Sequence, residues 1–290
     1  MNPIYLQALS LKDIHGNTDD CIHAASDLAA ELGIAGVDIE DRLLTSYEPS
    51  YLQELAHSVE SRGVQFGYCG LIVDFQSPIA VVDTEIAEAE KLVEALPHLG
   101  ISSMRVAGNG VVDGQTLEFT FNAVKAKLQT ICDMAAEAGI DVYLHNHNHG
   151  STPSTGAQVL RMLDEVKSPA LKYVLDTGQF QGSPGSGGFD HSVHANQAQP
   201  ELYESIEMCT PVASMVRAKF YFAEPGDEQW LDYPRIVRTL KNAKFDGPIS
   251  IVYENKGDGN RPSTEALSAA VRYLTELLGA GRPSDVITKL

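Results

Sequence analysis

Four polar clusters, each set directly after a short apolar run, carry side chains suited to moving protons and stabilising charge. They are Tyr143-Leu144-His145-Asn146-His147, Tyr173-Val174-Leu175-Asp176-Thr177-Gly178, Val216-Arg217-Ala218-Lys219 and Ile251-Val252-Tyr253-Glu254. Alternate residues of a strand face the same way. His145 therefore shares a face with His147, Asp176 with Val174, Lys219 with Arg217, and Glu254 with Val252 and Ser250. Gathered into one pocket, an imidazole or carboxylate could take a proton from the carbon next to a carbonyl. Lysine, arginine or a metal would stabilise the enediolate oxygen that results. His145 and Asp176, joined by His147 or Glu254, also offer nitrogen and oxygen ligands to a divalent metal. The plainer reading of each carboxylate is a salt-bridge partner that fixes Arg217 or Lys219. Arg105 suits a substrate hydroxyl or phosphate, or else an ion pair with an acid, and Glu40 has the same two readings. The run from His145 to His149 looks metal-like, but successive residues point in different directions and are not three ligands. Asn146 and Asn148 suit loop ordering.

The elements that must position these groups alternate between strand and helix. Strand candidates are Ile4 to Leu11, Val37 to Glu40, Val64 to Tyr68 and Ser103 to Ala107. The others are Val142 to Leu144, Lys172 to Leu175, Ala213 to Ala218 and Ile249 to Tyr253. Helical spacing of apolar residues marks about Asp20 to Leu32, Ser50 to Ser61, Glu85 to Leu96, Leu117 to Ala138 and Gly156 to Val166. It recurs over Glu201 to Glu207, Tyr233 to Asn242 and Ser263 to Leu278. Eight such units without a compositional break predict a single (β/α)8 barrel over residues 1–290, rather than a doubly wound sheet. A parallel barrel brings the C-terminal ends of its strands around one pocket, so the four clusters converge there. Two connections, Gln179 to Asn196 and Phe222 to Trp230, follow strands and are rich in glycine, proline or acids. Both are expected to act as lids or pocket walls. His191 and His194, on the first, read as solvent-facing.

Bulk properties exclude several partners. With 21 Lys and Arg against 39 Asp and Glu, the formal charge is −18. Such a field repels nucleic acid and anionic membrane surfaces, and no basic run overrides it. No segment has the apolar length of a spanning helix, and the N-terminus lacks the pattern of a secretory signal. Cys21, Cys69, Cys132 and Cys209 are too scattered for a zinc or redox motif and read as buried thiols of a cytoplasmic protein.

The chain resembles the xylose isomerase-like barrels, which include sugar isomerases and epimerases, inosose dehydratases and endonuclease IV-type enzymes. The resemblance runs from the first strand to the last helix. It rests on Leu144-His145-Asn146-His147, Asp176-Thr177-Gly178, Ala218-Lys219-Phe220-Tyr221, Asp232-Tyr233-Pro234, and Phe245-Asp246-Gly247 leading into Ser250 to Glu254. It implies an isomerase or epimerase acting next to a carbonyl in a sugar or cyclitol, and a homo-oligomer. Members hold a divalent metal with glutamate, aspartate, histidine and glutamate on strands five to eight. Asp176 matches the aspartate, while His145, Arg217 and Val252 stand at the other three positions, and Gln179 replaces a histidine that often follows. Three expectations result. A relocated metal (manganese, magnesium, cobalt or zinc) would use Asp176, His145 and Glu254. Alternatively, Arg217 and Lys219 replace the metal as electrostatic catalysts, or the barrel binds carbohydrate or serves as a scaffold without catalysis. In the catalytic readings His145, His147, Lys219 and Glu254 do the chemistry, and Arg105, Arg217, Glu40 and Gln179 bind substrate. Lyase or hydrolase chemistry on a related substrate is the neighbouring alternative.

Overall fold

The computed structural model describes residues 2–72, 78–148, 150–184, 198–221, 223–224, 227–228, 230–254 and 262–279. Eight parallel strands close into a barrel: β1 (Ile4–Gln7), β2 (Gly36–Glu40), β3 (Gln65–Gly70), β4 (Ser103–Ala107), β5 (Asp141–His145), β6 (Leu171–Asp176), β7 (Met215–Phe220) and β8 (Ile249–Tyr253). Each strand pairs with its neighbours in sequence, and β1 closes the ring on β8 through Ile4↔Ile249 and Leu6↔Ile251. A helix follows every strand: α1 (Asp20–Glu31), α2 (Pro49–Glu60), α3 (Pro78–Ala95), α4 (Leu117–Glu137), α5 (Gly156–Val166), α6 (Pro200–Cys209), α7 (Tyr233–Asn242) and α8 (Ser263–Leu278). The expected (β/α)8 barrel is the observed fold.

Local chemistry sets the helix ends. Thr116, Thr155 and Asp232 accept hydrogen bonds from the amides of Phe119, Gln158 and Arg235, so α4, α5 and α7 each start at a side-chain cap. Gly279 ends α8 in the left-handed conformation. On α7 the buried residues Tyr233, Ile236, Val237 and Leu240 form one stripe that turns inward. Such stripes pack on the outward-facing strand residues, including Leu6, Val37, Leu144, Ala218 and Ile251, and build the main core between barrel and helices.

Inside the barrel the lining is apolar low down and polar above. Tyr68, Val174 and Met215 form a separate small cluster, with Tyr143 against it. One repeat further along their strands stand Asp176 on β6 and Arg217 on β7, and Lys219 follows two residues later. Two of the strand ends that differ from expectation bear on the site. β1 stops at Gln7, whose side chain accepts from the Leu9 amide, and the chain turns into a 3-10 segment, Ala8–Leu11. β7 begins at Met215, two residues late, because Pro211 sits in a 3-10 turn, Thr210–Val212. Both Arg217 and Lys219 are thereby held within the strand ladder, where Ser250 and Val252 of β8 are their register partners.

Among the described residues, all four cysteines are buried and free, and no helix is long and apolar enough to cross a membrane. Most of the two long connections, with His191 and His194, lies outside the described residues. Of the second, Ala223–Glu224 and Asp227–Glu228 form a short antiparallel pair.

Candidate functional site

A cavity of about 590 Å³ opens at the C-terminal ends of the strands. Seven of the expected site residues line it: Glu40, Arg105, His145, His147, Gln179, Arg217 and Lys219. Glu254 lines it too, just past β8. Asp176 is fully buried and does not reach the cavity surface; it lies beneath the floor.

The floor is a continuous network of charge. Arg42 and Arg105 both donate to Glu40, Arg105 through Nη2 to Oε1 at 3.0 Å. Arg105 Nη1 lies 2.9 Å from His145 Nδ1. A guanidinium has only donors, so Nδ1 must accept and the imidazole proton must sit on Nε2. Nε2 then donates to Asp176 Oδ2 at 3.1 Å. The same Oδ2 accepts from Arg217 Nη1 at 2.9 Å and stands 3.8 Å from Lys219 Nζ. Lys219 Nζ donates to Glu254 Oε1 at 2.5 Å. Arg217 Nε donates to the Tyr68 hydroxyl at 2.8 Å, and Gln7 Nε2 donates to that oxygen at 3.0 Å.

Backbone contacts hold this network in place. Asn146 Oδ1 accepts from the Asp176 amide at 2.9 Å, and its Nδ2 returns a bond to the Asp176 carbonyl at 3.0 Å. The Gly178 amide donates to Asp176 Oδ1 at 2.9 Å. Residue 178 must be glycine for a steric reason. A Cβ there would stand 2.5 Å from Lys219 Cγ and 2.7 Å from the Tyr221 hydroxyl. Gly70 plays the same part for Arg105, whose Nη2 would be 2.5 Å from an added Cβ.

The environment separates the protonation states. Burial alone would raise Glu40, but Arg105, Arg42 and Arg217 hold it down to about 2. Burial likewise opposes ionised Asp176, yet Lys219, the His145 hydrogen bond and Arg217 keep it well below the usual carboxylate range. Burial drives His145 down to about 3, and the charges of Arg105 and Arg217 push the same way against Asp176. The imidazole is therefore neutral at physiological pH. Asp38, inside the barrel on β2, is raised to about 7 by burial, which the Tyr68 amide and the nearby arginines only partly offset.

These two shifts oppose each other in the pH dependence of stability. His145 binds its proton less readily folded than unfolded, so its contribution is present above about pH 6.5 and is lost as pH falls toward 3. Asp38 binds its proton more readily folded, so its contribution is greatest in acid and is lost as pH rises from about 4 to 7. Between pH 4 and 6.5 the two slopes largely cancel, each being at most about 1.4 kcal/mol per pH unit. His145→Gln, which keeps one acceptor and one donor, should unmask a stability that falls as pH rises through this window. Asp38→Asn should move the slope the other way, toward a rise above about pH 6, because Asp41, also raised by burial to about 6, still opposes His145 below that. Urea midpoints at pH 4.5, 5.5 and 6.5 measure both, and parallel curves for the two variants would contradict the shifts.

The expected metal set does not assemble. The His145 lone pair accepts from Arg105, Asp176 Oδ2 accepts from His145 and Arg217, and Glu254 Oε1 accepts from Lys219. Arg217 and Val252 have no atom to offer as ligands. A divalent ion near Asp176 would also face the fixed charges of Arg217 and Lys219 at close range. Among the described residues, no three His, Cys, Asp or Glu side chains are arranged to hold a metal. Hydrogen-bonded as they are here, the residues of the relocated set, Asp176, His145 and Glu254, do not fit a divalent ion. Asp176 instead anchors cations.

Reasoning from the sequence missed Gln7, Asp38, Arg42 and Tyr68. The parity of β1 and β2 points Gln7 inward beside Tyr5, and Asp38 beside Glu40; that pattern was available. Tyr68 gave no such signal, since an aromatic residue near a strand end is ordinary core.

A family model described as "Xylose isomerase-like TIM barrel" matches residues 26–277. Among solved structures, a D-psicose 3-epimerase from Clostridium cellulolyticum H10, determined with D-tagatose, superposes with a TM-score of 0.73 at 13% identity. The match covers 96% of this chain and 99% of that one. An L-ribulose 3-epimerase gives a TM-score of 0.74 at 13% identity, over 99% and 98% of the two chains. A xylose isomerase-like barrel protein from Mycobacterium smegmatis, in complex with magnesium, gives 0.67 at 15%, over 96% and 98%. At these identities the likeness is one of fold. No curated protein matches the chain in sequence.

Proposed function

Because the chain belongs to the xylose isomerase-like TIM barrel family, we propose that its cavity isomerises or epimerises a polyhydroxylated carbonyl compound, a sugar or cyclitol. The reaction proceeds by proton transfer at the carbon next to the carbonyl. The observation that carries this reading is the Lys219–Glu254 pair, 2.5 Å apart at the cavity wall. Its ammonium is buried and its carboxylate is 32% exposed. An accessible carboxylate beside a sequestered cation joins a base to a group that stabilises an oxyanion.

Glu254 removes the proton, and the C–H electron pair moves through the new C=C bond onto the carbonyl oxygen. Lys219 and Arg217 stabilise that oxygen as the enediolate forms. Return of the proton to the former carbonyl carbon, as the neighbouring hydroxyl passes its own proton to the former carbonyl oxygen and becomes the new carbonyl, gives the isomer. Delivery to the opposite face of the original carbon gives the epimer and needs a second donor. His147 lines the cavity and lies edge-on to His145, with ring centroids 5.6 Å apart, and takes that part. His145 stays neutral and links Arg105 to Asp176. Gln179, with Arg105 and Glu40, holds substrate hydroxyls. The neighbours named as 3-epimerases support the reaction class at the level of fold.

The test is solvent exchange. Ketoses, aldoses, uronates and inososes incubated with the protein in D2O should include at least one that gains deuterium next to its carbonyl, read by proton NMR. Glu254→Gln should slow that exchange at least a hundredfold. Binding without exchange across the panel would replace this reading with a noncatalytic sugar-binding barrel.

A further inference from the structure

Charge is distributed very unevenly between this molecule and its cavity. The chain carries 39 acidic against 21 Lys and Arg residues. The cavity is lined by five cationic side chains, Lys12, Arg42, Arg105, Arg217 and Lys219, and by three acidic ones, Asp13, Glu40 and Glu254. With the buried acids that face these cations, Asp176 beneath the floor and Asp38 inside the barrel, the two signs balance, so the cavity lacks the acidic excess of the rest of the chain. Three of the cations are almost wholly buried, with Arg105 at 6%, Arg217 at 5% and Lys219 at 1% exposure. Each of the three meets a carboxylate, Glu40, Asp176 and Glu254 in turn, so what remains to be completed is the N–H groups these pairs leave over at the cavity surface.

Hydrogen-bond accounting identifies those groups. Arg217 spends Nε on Tyr68 and Nη1 on Asp176. Its Nη2 makes no hydrogen bond among the described residues and stands 3.9 Å from Glu40 Oε1, beyond bonding reach. Lys219 Nζ donates to Glu254 and to no other side chain among the described residues, leaving N–H groups to spare. Both side chains line the cavity and both are anchored from below by Asp176. A planar guanidinium edge beside a point-charge ammonium is a recognition site for carboxylate or phosphate oxygens.

We propose that Arg217 and Lys219 form a metal-free anion site, so that the substrate of this cavity carries a carboxylate or phosphate and is not a neutral sugar. This deepens the proton-transfer reading and rests on it only for the word substrate; the binding site stands by itself. A negative group next to the reacting carbonyl would lie against the same two cations that stabilise the enediolate oxygen, with Glu254 at the wall acting on the adjacent carbon.

The experiment is calorimetric or ligand-observed NMR binding to the full-length protein in EDTA. The probes are D-glucuronate, D-glucose and D-glucose 6-phosphate. At least one anionic probe is expected to bind tenfold or more tightly than glucose, and the preference for glucuronate or the phosphate assigns the anion. Arg217→Gln, checked for folding by circular dichroism, should remove that preference. Raising the salt concentration on the wild-type protein should weaken the anionic probe and leave glucose unchanged, a readout that needs no variant. Equal binding of all three probes, or anion binding that requires added magnesium or manganese, would overturn the proposal. Anion binding without deuterium exchange would keep this site while removing the proton-transfer reading, and exchange of neutral sugars alone would do the opposite.

Discussion

Asp176→Ala is expected to destabilise the protein by about 3–5 kcal/mol, the scale for removing one partner from a buried ionic network. The carboxylate is fully buried, and one oxygen serves His145, Arg217 and, at longer range, Lys219. Its deletion leaves Arg217 without its hydrogen-bonded counter-charge and the His145 N–H without an acceptor, while Lys219 keeps Glu254. Asp176→Asn keeps an oxygen of the same shape but not the charge, so its loss should be smaller, about 1–3 kcal/mol. Urea unfolding followed by circular dichroism measures both. The chelator control separates this account from a metal site. If Asp176 held a divalent ion, EDTA would reproduce part of the alanine loss in the wild-type protein, because a ligand bound only to the folded state stabilises it. An EDTA-insensitive midpoint together with a large Asp176→Ala effect is the expected pair of results. A small alanine effect would mean that the floor reorganises, and the network would not be the anchor described.

Much of the architecture was legible because it is periodic. Strands β4 and β8 and helices α5, α7 and α8 begin and end where spacing and caps predict. The apolar stripes have one way to be buried, on the outside of a closed sheet. Side-chain parity was equally readable: it placed Arg217 with Lys219 and Asp176 with Val174, and all four are interior. What sequence could not convey is which partner each polar group chooses. His145 could have been a base, a ligand or a connector from its type alone. The choice is made by Arg105, 40 residues away, whose donor-only head occupies the imidazole lone pair. Likewise the fit of a metal depends on second neighbours as well as on ligand types. Oxygen and nitrogen donors are present in the right region, but each is already hydrogen-bonded to a cation. Tyr68 and Gln7 steer Arg217 through a phenol that no motif marks. The glycines at 70 and 178 matter for the space they leave, which only a folded backbone reveals.

Lys219→Met tests the chemistry most directly, because it removes charge while keeping an unbranched stem in the narrow channel beside Gly178. Turnover of whichever compound exchanges deuterium should fall about 10²–10³-fold, the usual cost of losing a group that stabilises a developing oxyanion in a dry site. The fold should survive. Asp176 retains Arg217 and His145, and Glu254 is exposed enough to be solvated. A loss in kcat with KM little changed would place the ammonium at the transition state. A rise in KM alone would make Lys219 part of anion binding and leave oxyanion stabilisation to Arg217. Arginine should not rescue turnover, since a planar guanidinium cannot take the point position of the ammonium between Glu254 and Asp176. Unchanged turnover in Lys219→Met would remove this residue from the mechanism. Glu254 would then lose its cationic partner without consequence, and the carboxylate–ammonium pair would be a structural salt bridge at the mouth of a binding barrel.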